Sequence, residues 1–256
     1  MNTCLPIGDG LGFPDAPSAT ARRTLAASRS PSDPFRFERE LQLVLAGLNF
    51  ELSPSAATVV GRREVRVGTR IPDLVYVSFQ PRIVRDLWPK RASYRHAHVL
   101  WLLRRDGALK EEAIASKTYS RLDRVRSLVG DLLKTGAVVC QESGYLTLSQ
   151  AMAGISVEIY AVEAKLQRWR QALNQAESYL SFAHQAFVAM DATATPRTQA
   201  VITEFESRGI GLIAVEPHSF EWVVRPTKHG QNVGPESEYV IASAATGAFQ
   251  TWWSSR

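Results

Sequence analysis

Ile155, Val157, Ile159 and Ala161 alternate with Ser156, Glu158 and Tyr160, a period of two that predicts a strand. Residues 168–182 then switch to helical spacing. If the strand's period continues, Glu163 and Lys165 fall on one face at its end. A carboxylate and an ammonium there are costly to bury unless they serve each other or an ion. A structural salt bridge between the two is the plainest account of the pair.

Upstream, Ser32-Asp33-Pro34 is a helix-start signal, followed by Phe37, Leu41, Val44, Leu45 and Leu48 at helical spacing. Glu38 and Glu40 fall in the first turn, where an acidic residue suits the helix dipole. Residues 53–60, 65–68 and 71–77 read as strands of a meander broken by Gly61 and Gly68. Asp73 follows Pro72 at the start of the last one, a common place for a turn former. Downstream of the helix, residues 185–190, 197–207 and 210–215 read as strand, helix and strand, with an edge strand at 220–224. This alternation predicts an α/β layer with some parallel pairing. Residues 227–256 read as a mixed tail whose aromatic end, Phe249, Trp252 and Trp253, is expected to pack on the body or on a partner.

Between the two halves the pattern changes. Residues 94–103 predict a first helix, broken at Gly107, and residues 109–115 a short second one. Tyr119-Ser120 opens a third, with Leu122, Val125, Leu128, Val129, Leu132 and Leu133 at helical spacing, closed by Gly136. Residues 137–141 and 145–148 flank Ser143-Gly144 as a small hairpin. Three helices and a hairpin resemble a winged helix-turn-helix, with Arg121, Arg124 and Arg126 on or near its recognition helix. Such modules also serve dimerisation or docking.

Charge changes the picture here. The chain carries 30 Lys and Arg against 25 Asp and Glu, a net +5. Residues 82–150 alone hold 13 against 7, so this one segment contains the whole positive excess. That imbalance points to a polyanion partner for the segment. Hydrophobic residues at 45% and charged ones at 21% are ordinary for a globular protein. No apolar run approaches the roughly 20 residues of a membrane helix, which argues against a membrane partner. The start lacks a secretory pattern. Cys4 and Cys140 fit neither a metal knuckle nor a disulfide framework. A reducing, cytoplasmic setting is expected. Residues 1–33, rich in Gly, Pro, Ser and Ala and carrying Arg22, Arg23 and Arg29, read as a disordered leader.

With residues 82–152 set aside, a longer pattern appears. A helix with Glu38, strands, Pro72-Asp73, a strand, Glu163-Ala164-Lys165, a helix and a strand follow one another. This order resembles the PD-(D/E)xK nuclease superfamily, and Gln175 with Tyr179 resembles the Q-x-x-x-Y element of its RecB-like branch. The resemblance implies an α/β fold: a restriction-endonuclease-like mixed β-sheet core flanked by helices, built from residues 34–81 and 153–226. The winged helix at 82–152 would be an insertion in that core, a departure from the minimal family pattern.

The implied activity is a Mg²⁺- or Mn²⁺-dependent deoxyribonuclease acting on duplex DNA. Phosphodiester hydrolysis needs a hard cation, and Mg²⁺ prefers carboxylate oxygens and retained waters. By the resemblance, Asp73 and Glu163 would supply those oxygens, with the Ala164 carbonyl as a third ligand and Glu38 completing or bridging a second metal. Lys165 would orient or deprotonate the attacking water, or offset charge on the phosphate. Gln175 and Tyr179 would position the site or the strand, and Arg168 and Arg170 would hold a flanking phosphate. A homodimer would suit a double-strand cut. The contrasting expectation is a DNA-binding regulator that keeps the nuclease-like fold without cutting.

Overall fold

The computed structural model describes residues 34–47, 58–79, 85–229 and 234–246. Six strands make one mixed sheet in the spatial order β1 (Thr58–Arg63), β2 (Leu74–Phe79), β5 (Glu158–Lys165), β6 (Gln185–Asp191), β7 (Gly211–Val215), β8 (Phe220–Val224). β1, β2 and β5 pair antiparallel, β5, β6 and β7 parallel, and β8 antiparallel to β7. Parallel neighbours need long crossovers, which α6 (Trp169–Tyr179) and α7 (Gln199–Ser207) provide.

β5 is interior and covered on both faces. Ile159 and Ala161 join the core that contains Ala172, Leu173 and Ala176 of α6. Tyr160, Val162 and Ala164 join a second core with Leu41 and Leu45 of α1 (Glu38–Gly47). A strand buried on both sides tolerates apolar residues at every position. It starts at Glu158, where pairing with Ser78 of β2 begins, so the alternation at 155–157 lies just before it. Residues 65–68 form no strand. Val67 and Arg70 bridge each other across a turn in which Gly68 takes a φ of +62°. Residues 53–57 and Leu48 lie outside the described residues, as do the leader, Cys4 and the aromatic end.

The segment between β2 and β5 folds as α2 (Tyr94–Asp106), α3 (Glu111–Lys117), α4 (Leu122–Lys134), a hairpin of β3 (Val138–Cys140) and β4 (Leu146–Leu148), and α5 (Gln150–Ala153). Leu109 and Leu146 exchange both backbone hydrogen bonds, at 3.1 and 2.8 Å, so the loop after α2 lies along β4. Leu100, Ile114, Val125, Val129 and Leu132 pack in a core continuous with that of the sheet. Because β2 and β5 are antiparallel neighbours, the segment is one long hairpin connection. It leaves the sheet at the end opposite Asp73 and Lys165.

The expected tail holds a helix. α8 (Pro235–Thr246) packs on α2, with Val240, Ile241, Ala242 and Ala245 buried together with Ser237, Glu238 and Ser243. Burial on nearly all sides removes the polar stripe that marks a surface helix in a sequence. Arg104 Nε of α2 meets Glu238 Oε1 of α8 at 2.6 Å, an ion pair between the two helices in which Glu238 is buried and Arg104 half-buried.

Candidate active site

Asp73 stands one residue before β2, beyond the last β2–β5 pair, Leu74 with Val162. There its side chain does what a further strand residue would do. Its Oδ2 accepts the Ala164 N–H at 2.7 Å, so Ala164 enters the site through its amide as a clamp on Asp73. The Asp73 Oδ1 accepts from Gln42 Nε2 of α1 at 2.7 Å. Odd-numbered residues of β2 and β5 share a face, and this brings Glu163 beside Asp73.

Glu163 is 2% exposed, and both its oxygens are held. Tyr179 Oη of α6 donates to Oε2 at 2.5 Å, and Lys165 Nζ lies 3.0 Å from Oε1. Lys165 also reaches Glu38 Oε2 of α1 at 3.4 Å. Glu38 of α1, Asp73 just before β2, Glu163, Ala164 and Lys165 of β5 and Tyr179 of α6 therefore converge at one end of the sheet. Gln175 lies one turn before Tyr179 on α6. Its Oε1 is buried and has no hydrogen-bond partner among the described residues.

Three carboxylates here face one ammonium. Burial, then the charge of Glu163, pushes the Asp73 carboxyl up to about 7, against the Ala164 hydrogen bond and Lys165. Burial works against the Lys165 charge, yet Glu163, Asp73 and Glu38 together raise its pKa, so the amine holds its proton. Burial and Glu163 also raise the Tyr179 phenol, which stays a hydrogen-bond donor. The surplus negative charge is what a divalent cation would offset. Each carboxylate oxygen has a further lone pair beyond the contact it already makes. Among the described residues no three His, Cys, Asp or Glu side chains form a ready-made metal cage. Two carboxylates plus waters are nevertheless the usual protein share of a Mg²⁺ shell. The donor set fits such an ion.

The arginines divide into two groups. Arg168, at the start of α6, and Arg170, stacked on Trp169 at 4.5 Å, are exposed and follow Lys165 by three and five positions. Arg168 holds a left-handed backbone, φ +60°. Arg121, Arg124 and Arg126 belong to the segment between β2 and β5. Arg121 precedes α4 and pairs with Asp123 at 3.3 Å, and Arg124 is exposed. Arg126, also exposed, meets Glu111 Oε2 through its Nε at 3.0 Å. β2 separates the segment's root from Asp73 by about 20 Å at the usual strand rise.

Two residues of the site escaped the sequence reading. Gln42 lies one turn after Glu38, and that i, i+4 spacing was its only signal. Arg70, three residues before Asp73, bears on the Tyr179 phenol through its charge. It is brought there by the turn that replaced the expected strand.

No family model matches the chain, and no curated protein does. A solved structure of a protein of unknown function from Silicibacter pomeroyi aligns with a TM-score of 0.25 and 17% identity, covering 63% of this chain and 86% of that one. A likeness of that size bears on neither fold nor function.

Proposed function

We propose that the protein is a Mg²⁺- or Mn²⁺-dependent deoxyribonuclease of PD-(D/E)xK type with a winged helix-turn-helix set into its core. The observation that carries this reading is the meeting of Asp73, Glu163 and Lys165 at one strand end, with surplus negative charge left over. The cation would sit on Asp73 and Glu163, with Glu38 and the Ala164 carbonyl within the same cluster. When bound, it neutralises charge on the phosphate and acidifies a water.

The chain's own residues divide the remaining work. Gln42 and the Ala164 amide fix the Asp73 carboxylate, and Tyr179 fixes that of Glu163. Lys165, held as an ammonium, acts as a charge on the phosphate or on the attacking water. A base would need the neutral amine, so the cationic role fits better. Arg168 and Arg170, exposed just after Lys165, would hold the phosphate next to the scissile one. Titration calorimetry with Mn²⁺ tests the ligand assignment. Wild type is expected to bind the ion and Asp73→Ala to lose it; equal binding by both would remove Asp73 from the metal site.

The inserted segment would grip DNA at a distance from the cut. With its root about 20 Å from Asp73, a duplex touching both regions spans about six base pairs between them at 3.4 Å per step. Neutralising Arg121 and Arg124 together is expected to weaken DNA binding and flatten its dependence on salt. Each phosphate contact contributes roughly 0.9 to the slope of log affinity on log salt. Anisotropy titrations across a salt series read both quantities.

A further inference from the structure

Three helices end in the same doubly hydrogen-bonded cap. After α3, Tyr119 N–H bonds to Ser116 O at 3.3 Å and Ser120 N–H to Ala115 O at 3.0 Å. After α4 the same bonds run from Gly136 to Leu133 and from Ala137 to Leu132, and after α7 from Gly209 to Glu206 and from Ile210 to Phe205. The cap requires a left-handed residue just past the helix, where glycine is favoured because a Cβ crowds the following carbonyl. Gly136 and Gly209 fill it with φ of +72° and +68°. At α3 the residue is Tyr119, with φ +50°.

The fold returns nothing to Tyr119 for that strain. The residue is 99% exposed, and its side chain makes no hydrogen bond or ring contact among the described residues. It stands in the turn between α3 and α4, two positions before the exposed Arg121 and five before Arg124. A bulky aromatic held out at a glycine position, on the segment that carries the chain's positive excess, is placed for an external, anionic partner.

We propose that Tyr119 is a DNA contact, its ring packing on the sugar and base edge of a duplex beside phosphates held by Arg121 and Arg124. The inference rests on the reading of the inserted segment as a DNA grip. Ring packing releases no counterions. It therefore adds affinity without adding salt dependence, whereas the arginines add both.

The test uses the full chain carrying Lys165→Ala, in EDTA, with a labelled short DNA duplex across a salt series. Tyr119→Gly is expected to weaken binding about tenfold with the salt slope unchanged. Its melting temperature should equal or exceed that of the parent, since the left-handed strain is relieved. Tyr119→Asn, which also tolerates this backbone, should behave alike. Parental affinity in Tyr119→Gly, with weakened binding when Arg121 and Arg124 are neutralised, would overturn the Tyr119 contact and leave the DNA grip standing. Parental affinity in all of these variants would overturn both. A lowered melting temperature in Tyr119→Gly would assign the ring to the fold and overturn the proposal.

Discussion

Lys165→Ala is expected to cut DNA about a hundred- to a thousandfold more slowly than wild type while still binding the divalent ion. Removing one preorganised charge from a water-excluded site costs about 3–4 kcal/mol of transition-state stabilisation. The amine stands 3.0 Å from Glu163 and 3.4 Å from Glu38, and it is the only cation paired with these carboxylates among the described residues. Its loss should leave the carboxylates freer for a metal, so Mn²⁺ affinity is expected to hold or rise as the rate collapses. Single-turnover cleavage alongside calorimetry separates the two effects. A fall in metal affinity matching the fall in rate would mean that Lys165 serves the metal site rather than the phosphate.

Arg104→Ala is expected to lose about 3–5 kcal/mol of stability at neutral pH, the usual cost of stranding one partner of a buried ion pair. Glu238 is 4% exposed, and Arg104 at 2.6 Å is its cation; its other oxygen has no partner among the described residues. Burial already raises the Glu238 pKa, with Arg104 opposing that rise. A carboxyl raised in the folded state binds a proton that the unfolded chain releases. Its contribution is therefore fully present below the ordinary carboxyl range and is lost as pH climbs toward the folded pKa. Without Arg104 that pKa rises further, so the variant should lose more stability between about pH 5 and pH 8 than wild type does. Urea denaturation at the two ends of that range measures the difference. Arg104→Ala combined with Glu238→Leu should regain most of the loss, because no charge is then left buried. Equal pH dependence in variant and wild type would show Glu238 to be solvated.

Much of this molecule was legible where a pattern had one dominant cause. The first and third helices of the segment between β2 and β5 have apolar stripes and glycine stops, at Gly107 and Gly136, and α4 and its hairpin stand where those signals place them. β6, α7, β7 and β8 follow the expected order, and the sheet is mixed with parallel pairs at β5, β6 and β7. The pairing of Glu163 with Lys165 followed from period two alone.

What stayed hidden depends on neighbours that a sequence does not display. β5 is covered on both faces, which blurs its alternation and moved its start from 155 to 158. Val65 and Val67 have strand-like side chains, yet the turn at Gly68 brings Val67 back against Arg70. α8 is buried almost all round and carries a charged residue whose partner lies 134 positions away, so neither periodicity nor local charge marks it. Gln42 is a neutral residue on a helix face. Only the position of Asp73 in space shows that it orients a carboxylate.

The most direct measurement is incubation of wild-type protein with supercoiled plasmid and with linear duplex, in Mg²⁺, in Mn²⁺ and in EDTA. A nuclease of this kind cuts in the presence of either ion and not in EDTA, with nicked circles or shortened linear DNA reporting where it attacks. Intact DNA in every lane, accompanied by a shift on a native gel, would contradict that reading and leave a DNA-binding protein whose carboxylate cluster serves the fold alone.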